Sequence, residues 1–195
     1  MFDHEKTSEA FALANFVHKE QIRKDINAPY ISHPMAVASK VLEWGGNEDQ
    51  FMAALLHDVI EKCGIIWMKQ IKENCGEKVL EMVLECSDLV AETPSVRTPI
   101  RTRKLAYIEK LKKISDEALL ISMADVWHNF QSLRENHLDV GEGVGSFSLD
   151  QHERMEVMLW YFDQAIFVYE DRRMPQAEEL RRLYNLIQSE KNTNS

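Results

Sequence analysis

The sequence predicts an all-α protein of around nine helices, and three observations carry that prediction. Seven glycines and five prolines are few for 195 residues, while the helix formers Leu, Met, Glu, Lys and Ala are plentiful. Apolar residues recur at the three- and four-residue spacing of a helix face over most of the chain. Alternation of the strand type is nowhere sustained. A hydrophobic fraction of 45% suits a sizeable core, and with no Pro/Gly/Ser-rich linker the whole of 1–195 reads as a single domain.

The elements follow in order. "TSEAFALANFVHKEQIRK" offers Thr7 and Ser8 as N-caps and spaces Phe11, Ala14, Phe16 and Val17 helically. "APYISHP" breaks that helix. Ser32 then caps a second one, with His33 at its start and Pro34 in the first turn, running to Gly45 and Gly46. "NEDQFMAALLHDVIEKC" reads as one continuous third helix, "IIWMKQIKENC" as a fourth and "EKVLEMVLECSDLV" as a fifth. "AETPSVRTPIRTR" is predicted to be a loop, followed by helices over "KLAYIEKLKKI" and "DEALLISMADVWHNFQSLREN". The glycine-containing stretch 139–150 reads as a loop rather than a dinucleotide turn, because no strand precedes it. Two C-terminal helices are expected within 149–189, with a frayed polar tail over 190–195.

A net charge of −9 argues against a nucleic-acid or anionic-membrane surface, which needs a basic footprint, but leaves room for a small anionic ligand. Cys63, Cys75 and Cys86 are odd in number and contain no C-x-x-C, so they read as reduced thiols. The N-terminus lacks a signal-peptide pattern, and no apolar run approaches a membrane span. These features predict a cytoplasmic protein with neither nucleic-acid nor membrane partners, and set no oligomeric state.

The chemistry gathers on two segments. In "AALLHDVIEKC", helical spacing puts Phe51, Met52, Leu55, Leu56, Val59 and Cys63 on one arc and His57, Asp58 and Glu61 opposite. Such an edge either faces a site or is simply solvated. In "SMADVWHNF", Asp125 and Asn129 share an edge flanked by Ser122, His128 and Ser132, short polar residues that a surface built for solubility would seldom choose. His33, His57, Asp58 and Asp125 offer two imidazoles and two carboxylates, a set suited to Mn²⁺, Fe²⁺ or Zn²⁺. Such an ion activates water and polarises a phosphoryl oxygen, and Glu61 is placed to accept the water's proton.

His33, then His57–Asp58, then Asp125, together with "RKDINAPYISHPMAVA", "AALLHDVIE" and "MADVWHN", resembles the HD-domain metal-dependent phosphohydrolases. Together they resemble the RelA/SpoT-type hydrolase domain, especially its stand-alone small alarmone hydrolases, over about residues 8–135. The resemblance implies an HD-type helical bundle and one metal, usually Mn²⁺, held by His33, His57, Asp58 and Asp125. It implies a catalytic Glu61 and nucleotide contacts from Arg23, Lys24, Asn129 and Ser132. The implied activity removes the 3′-pyrophosphate of (p)ppGpp, giving GDP or GTP and pyrophosphate. Relatives in animals also act on NADPH, and (p)ppApp or non-catalytic nucleotide binding are the alternatives.

Lys62 departs from the pattern, which has Asp there. It reads as a ligand for a phosphate of an altered substrate, as a sign of lost speed, or as a solvated lysine. Arg97, Arg101, Arg103 and Lys104 form the densest basic patch, read as phosphate-facing or as a solvated loop. His4, His18, His128, His137 and His152 are expected to be ordinary histidines, and Trp44, Trp67, Trp127 and Trp160 to be core.

Overall fold

Asp3 starts the first helix: its carboxylate accepts from the backbone N–H groups of Glu5 and Lys6 at 3.1 and 3.3 Å, which satisfies donors that the first turn would leave orphaned. The predicted caps, Thr7 and Ser8, already lie inside that helix and bond back to the carbonyls of Asp3 and His4. The computed structural model describes residues 3–23, 27–87, 99–137 and 149–193. Among them the chain is all-α apart from one two-residue β-pair, in the order α1 His4–His18, β1 Ile22–Arg23, β2 Ala28–Pro29, α2 Ser32–Glu43, α3 Glu48–Leu56 and α4 Val59–Cys63. A 3₁₀ turn, Ile65–Trp67, leads to α5 Met68–Cys75, α6 Glu77–Cys86, α7 Ile100–Leu111, α8 Asp116–His137, α9 Leu149–Asp171 and α10 Ala177–Thr193. No described helix is long and apolar enough to cross a membrane.

The chain divides into two compact units, Met1–Leu89 with Ile114–Asp125, and Val90–Lys113 with Val126–Ser195. In the first, α3 is the central element: Met52, Ala53, Ala54, Leu55 and Leu56 are all buried. Each of its large side chains stabilises the fold by about 1.5–3 kcal/mol through area removed from water. Around α3 lie Ala10, Leu13 and Ala14 of α1, Val37 and Val41 of α2, and Val79 and Val83 of α6. The stripe that α1 buries is small-residued, and Phe11 and Phe16, two of its helically spaced apolar residues, stand 41% and 56% exposed.

In the second unit α9 packs against α7 and α10. Phe162 of α9 meets Phe130 of α8 with ring centroids 4.3 Å apart, and Ile166, Tyr169, Leu180 and Leu111 are fully buried beside them.

Several boundaries differ from the sequence expectation. The predicted third helix is two: α3 stops at Leu56 and α4 begins at Val59, with His57 and Asp58 between them. Burial on all sides, rather than one apolar arc, explains why a single polar face does not form there. Ser32 is the first residue of α2, not its cap, and its hydroxyl is buried without a hydrogen-bond partner. α6 ends at Cys86, where extended Ser87 turns its hydroxyl onto the Val83 carbonyl at 2.7 Å. α7 begins inside the predicted loop, directly after Pro99, whose fixed φ suits a helix start. α10 continues to Thr193, past the point where a frayed tail was expected; Glu190 accepts from Arg134 at 3.1–3.3 Å and holds that turn. Most of the glycine-containing 139–150 stretch lies outside the described residues, and its last two residues open α9. All four tryptophans are partly exposed rather than core. The three cysteines are free, with Cys75 and Cys86 buried and Cys63 half-buried.

Candidate metal centre

The β-pair aligns Ile22 with Pro29 and Arg23 with Ala28, and hands the chain directly to Tyr30 and the first turn of α2. The His33 N–H bonds the Tyr30 carbonyl at 3.0 Å, so His33 enters the helix at a fixed angle and is only 3% exposed. α3 is anchored by a capping box in which Asn47 and Gln50 exchange bonds at 2.9 and 3.0 Å. Gln50 also donates to the Glu117 carbonyl at the start of α8, at 3.1 Å. The break after α3 delivers His57 and Asp58, 6% and 7% exposed. α8 supplies Asp125. All four residues belong to the first compact unit.

They converge. His33 Nε2 lies 3.0 Å from Asp125 Oδ1 and 3.6 Å from Asp58 Oδ2. His57 Nε2 lies 3.5 Å from Asp58 Oδ2 and 3.8 Å from Asp125 Oδ1. The ligand atoms of His33, His57 and Asp58 fall within 4.8 Å of one another, the one such His/Cys/Asp/Glu group among the described residues.

The chemistry of the set fits a divalent cation. His57 Nδ1 contacts the Ala54 carbonyl at 2.8 Å; a carbonyl only accepts, so Nδ1 carries the proton and Nε2 presents a lone pair. That Nε2 is buried without a hydrogen-bond partner and faces carboxylate oxygens, which are acceptors too. Converging buried lone pairs are costly unless a cation takes them up, and an imidazole braced through its other nitrogen on a backbone carbonyl is the usual arrangement of a metal-binding histidine. Two nitrogens and two carboxylates suit Mn²⁺, Fe²⁺ or Zn²⁺.

The electrostatics agree. Burial by itself would raise the Asp58 carboxyl, but His57, Lys62, His33 and the Tyr30 hydroxyl outweigh it and hold Asp58 far below the usual carboxylate range. Burial likewise acts to raise Asp125, yet the His33 hydrogen bond and the electrostatic influence of His33 and His57 bring it down to about 2. Both are carboxylates at neutral pH.

Glu61 sits in the first turn of α4, its carboxylate 3.7 Å from the Lys62 ammonium. Lys62 in turn stands 3.3 Å from Asp58 Oδ1; its carboxylate neighbours Asp58 and Glu61 outweigh burial and push its pKa up. Arg23 is buried on β1. Lys24 and Arg97 lie outside the described residues. Asn129 and Ser132 follow Asp125 along α8 but belong to the second unit, where Ser132 is buried and Asn129 half-buried. Arg101, Arg103 and Lys104 are also in that unit, on a helix rather than a loop; Arg101 stacks on Trp160 at 4.4 Å and Lys104 on Tyr161 at 4.6 Å.

Two residues escaped the sequence reading. Tyr30 donates its hydroxyl to Asp58 Oδ2, and burial, then the Asp58 charge, keeps that phenol protonated well above its ordinary range. The available signal was a tyrosine three residues before a helix-start histidine, since a buried phenol must find a partner. His18 is 1% exposed, bonded to Gln21 Oε1 at 3.0 Å and 5.0 Å from the Tyr30 ring, with Nε2 lacking a hydrogen-bond partner; burial lowers its pKa.

Comparison with known proteins gives the family. The HD-domain family model matches residues 10–143. The guanosine-3′,5′-bis(diphosphate) 3′-pyrophosphohydrolase of Haemophilus influenzae is 35% identical over 127 residues, 62% of this chain but 18% of that protein. The enzyme of that name, MESH1, from Xenopus tropicalis is 34% identical over 127 residues, 62% of this chain and 67% of its own. In three dimensions the chain resembles a metazoan ortholog of SpoT described as hydrolysing ppGpp, with TM-score 0.76, 23% identity and coverage of 95% and 97% of the two chains. It also resembles a protein of Listeria monocytogenes, with TM-score 0.63. These last two likenesses show the fold. The chain belongs to the HD-domain family, among the RelA/SpoT-type hydrolase domains.

Proposed function

We propose that this chain is a metal-dependent 3′-pyrophosphohydrolase of (p)ppGpp-type nucleotides, a single HD hydrolase domain over 1–195 working in the cytoplasm. The observation that carries the reading is the convergence of two imidazoles and two carboxylates around the buried, unpartnered Nε2 of His57. The names of the Haemophilus and Xenopus relatives supply the substrate class.

In this reading His33, His57, Asp58 and Asp125 hold one divalent ion, Mn²⁺ by preference. When bound, it lowers the pKa of water and polarises a phosphoryl oxygen. Water attacks the 3′-phosphorus, and the Glu61 carboxylate takes the water's proton. The bond from phosphorus to the ribose 3′-oxygen breaks, freeing pyrophosphate, while that oxygen takes up a proton from solvent to become the 3′-hydroxyl. Arg23, Lys24, Asn129 and Ser132 bind and orient the nucleotide, and Arg23 and Lys24 balance phosphate charge. A second reading changes the substrate to (p)ppApp or NADPH. Its motive is Lys62, a cation beside Asp58 and Glu61 where the family pattern has Asp.

The test is release of pyrophosphate and phosphate by the purified protein with Mn²⁺, across ppGpp, pppGpp, ppApp and NADPH, with and without EDTA. Pyrophosphate from ppGpp that EDTA abolishes is the expected result. Turnover of another nucleotide alone favours the second reading. Nucleotide and metal binding without any product would overturn both and leave a non-catalytic binding protein.

A further inference from the structure

Asp58 is held on both oxygens by this chain's own donors. The Lys62 ammonium lies 3.3 Å from Oδ1, and the Tyr30 hydroxyl donates to Oδ2. The same ammonium stands 5.4 Å from the centre of the Tyr30 ring, so the two donors brace each other as well. What remains of Oδ2 faces the Nε2 atoms of His33 and His57, at 3.6 and 3.5 Å.

The two donors act differently on a cation at the cluster. A phenol hydroxyl is neutral: it fixes the direction of Oδ2 and leaves the charge of the carboxylate available. An ammonium brings a full positive charge to the carboxylate and neutralises part of what a cation would bind. By Coulomb's law a unit charge about 5 Å from a divalent ion shifts a binding constant about tenfold even at the dielectric of water, and more in a buried site. The Lys62 side chain is 32% exposed and that of Asp58 10%, so screening is partial.

We propose that Lys62 is a tethered counter-ion of Asp58 that competes with the divalent ion for this carboxylate, while Tyr30 is a positioning residue that aims Asp58 at the imidazoles. The role rests on the metal reading of the cluster. It keeps Asp58 paired when no metal is bound and lowers the affinity of the cluster for the ion. The loss of the ion leaves a paired Asp58, not a bare buried carboxylate, which is the costly alternative.

The experiment is a calorimetric titration of the metal-free full chain with MnCl₂ and no nucleotide, for wild type, Lys62→Met, Lys62→Arg, Tyr30→Phe and His57→Ala, with circular dichroism on each. Met keeps the stem of Lys62 and removes its charge, so Lys62→Met is expected to bind Mn²⁺ about tenfold more tightly. Lys62→Arg keeps the charge and stays within about twofold of wild type. Tyr30→Phe loses one hydrogen bond and binds about three- to tenfold more weakly. Opposite signs for Lys62→Met and Tyr30→Phe are what a purely structural role would not produce. If Lys62→Met does not fold, Lys62→Gln takes its place with the same expectation. Wild-type binding that His57→Ala abolishes, with Lys62→Met equal to or weaker than wild type, would overturn the counter-ion role and leave the metal centre standing. Absence of Mn²⁺ binding in wild type and every variant would bring down the metal centre, and the counter-ion role with it.

Discussion

Asp58 shows how far a single side chain can be over-determined: a lysine, a phenol and two imidazoles all address it. The residue types of the cluster were readable beforehand: His57, Asp58 and Glu61 alone fitted a solvated edge equally well, and His33 and Asp125 in order with them pointed to a site. Tyr30 was not, because a tyrosine beside a turn is common and only the folded chain reveals that its hydroxyl ends on Asp58. The same limit applies to Lys62, whose charge was plain and whose partner was not. Cys75 illustrates a quieter consequence of burial. It is 4% exposed, and burial, helped by the Glu9 charge and opposed by Lys6, pushes its thiol from 9.0 up to about 11. The unfolded chain therefore ionises first, so stability is complete below pH 9.0 and falls as pH rises through about 11, by about 3 kcal/mol in all. Urea unfolding of wild type and Cys75→Ala across this range checks it. The wild type should lose more stability than the variant, and parallel curves would refute the assignment.

The break between α3 and α4 is the element on which the site depends. No glycine or proline marks it, so periodicity alone ran one helix from Asn47 to Cys63; burial on all sides hides the polar edge that would have betrayed the bend. The C-terminal end of α4 was legible, since Gly64 adopts φ +99°, a conformation that a side chain seldom tolerates. Upstream, the link from α2 to α3 is set by close approach. A Cβ on Gly46 would come within 2.5 Å of Val41 Cγ1 and 2.8 Å of the Val41 carbonyl oxygen. Gly46→Ala is accordingly expected to destabilise the protein by about 1–3 kcal/mol, as overpacking typically does. A lowered urea midpoint with an unchanged slope would show it, and an unshifted midpoint would mean that the link yields without strain.

For the molecule as a whole, composition settled the class and the motifs settled the family, while the substrate contacts stayed indistinct. The candidate metal ligands are few, chemically distinctive and confined to the first unit. Arg, Lys, Asn and Ser are common everywhere, so Asn129, Ser132 and the basic residues of α7 stand out only against a ligand. On the proposed reading, a chain with a net charge of −9 would have to attract a polyanionic nucleotide locally, and a cation at the cluster would supply that attraction. The measurement that reaches this point is the turnover of ppGpp by Asp125→Ala beside wild type, both with Mn²⁺ and both checked for helicity. Ala is a better helix former than Asp, so α8 should persist. The account predicts unchanged helicity and a loss of turnover by about a thousandfold or more. Full activity in the folded variant would contradict it.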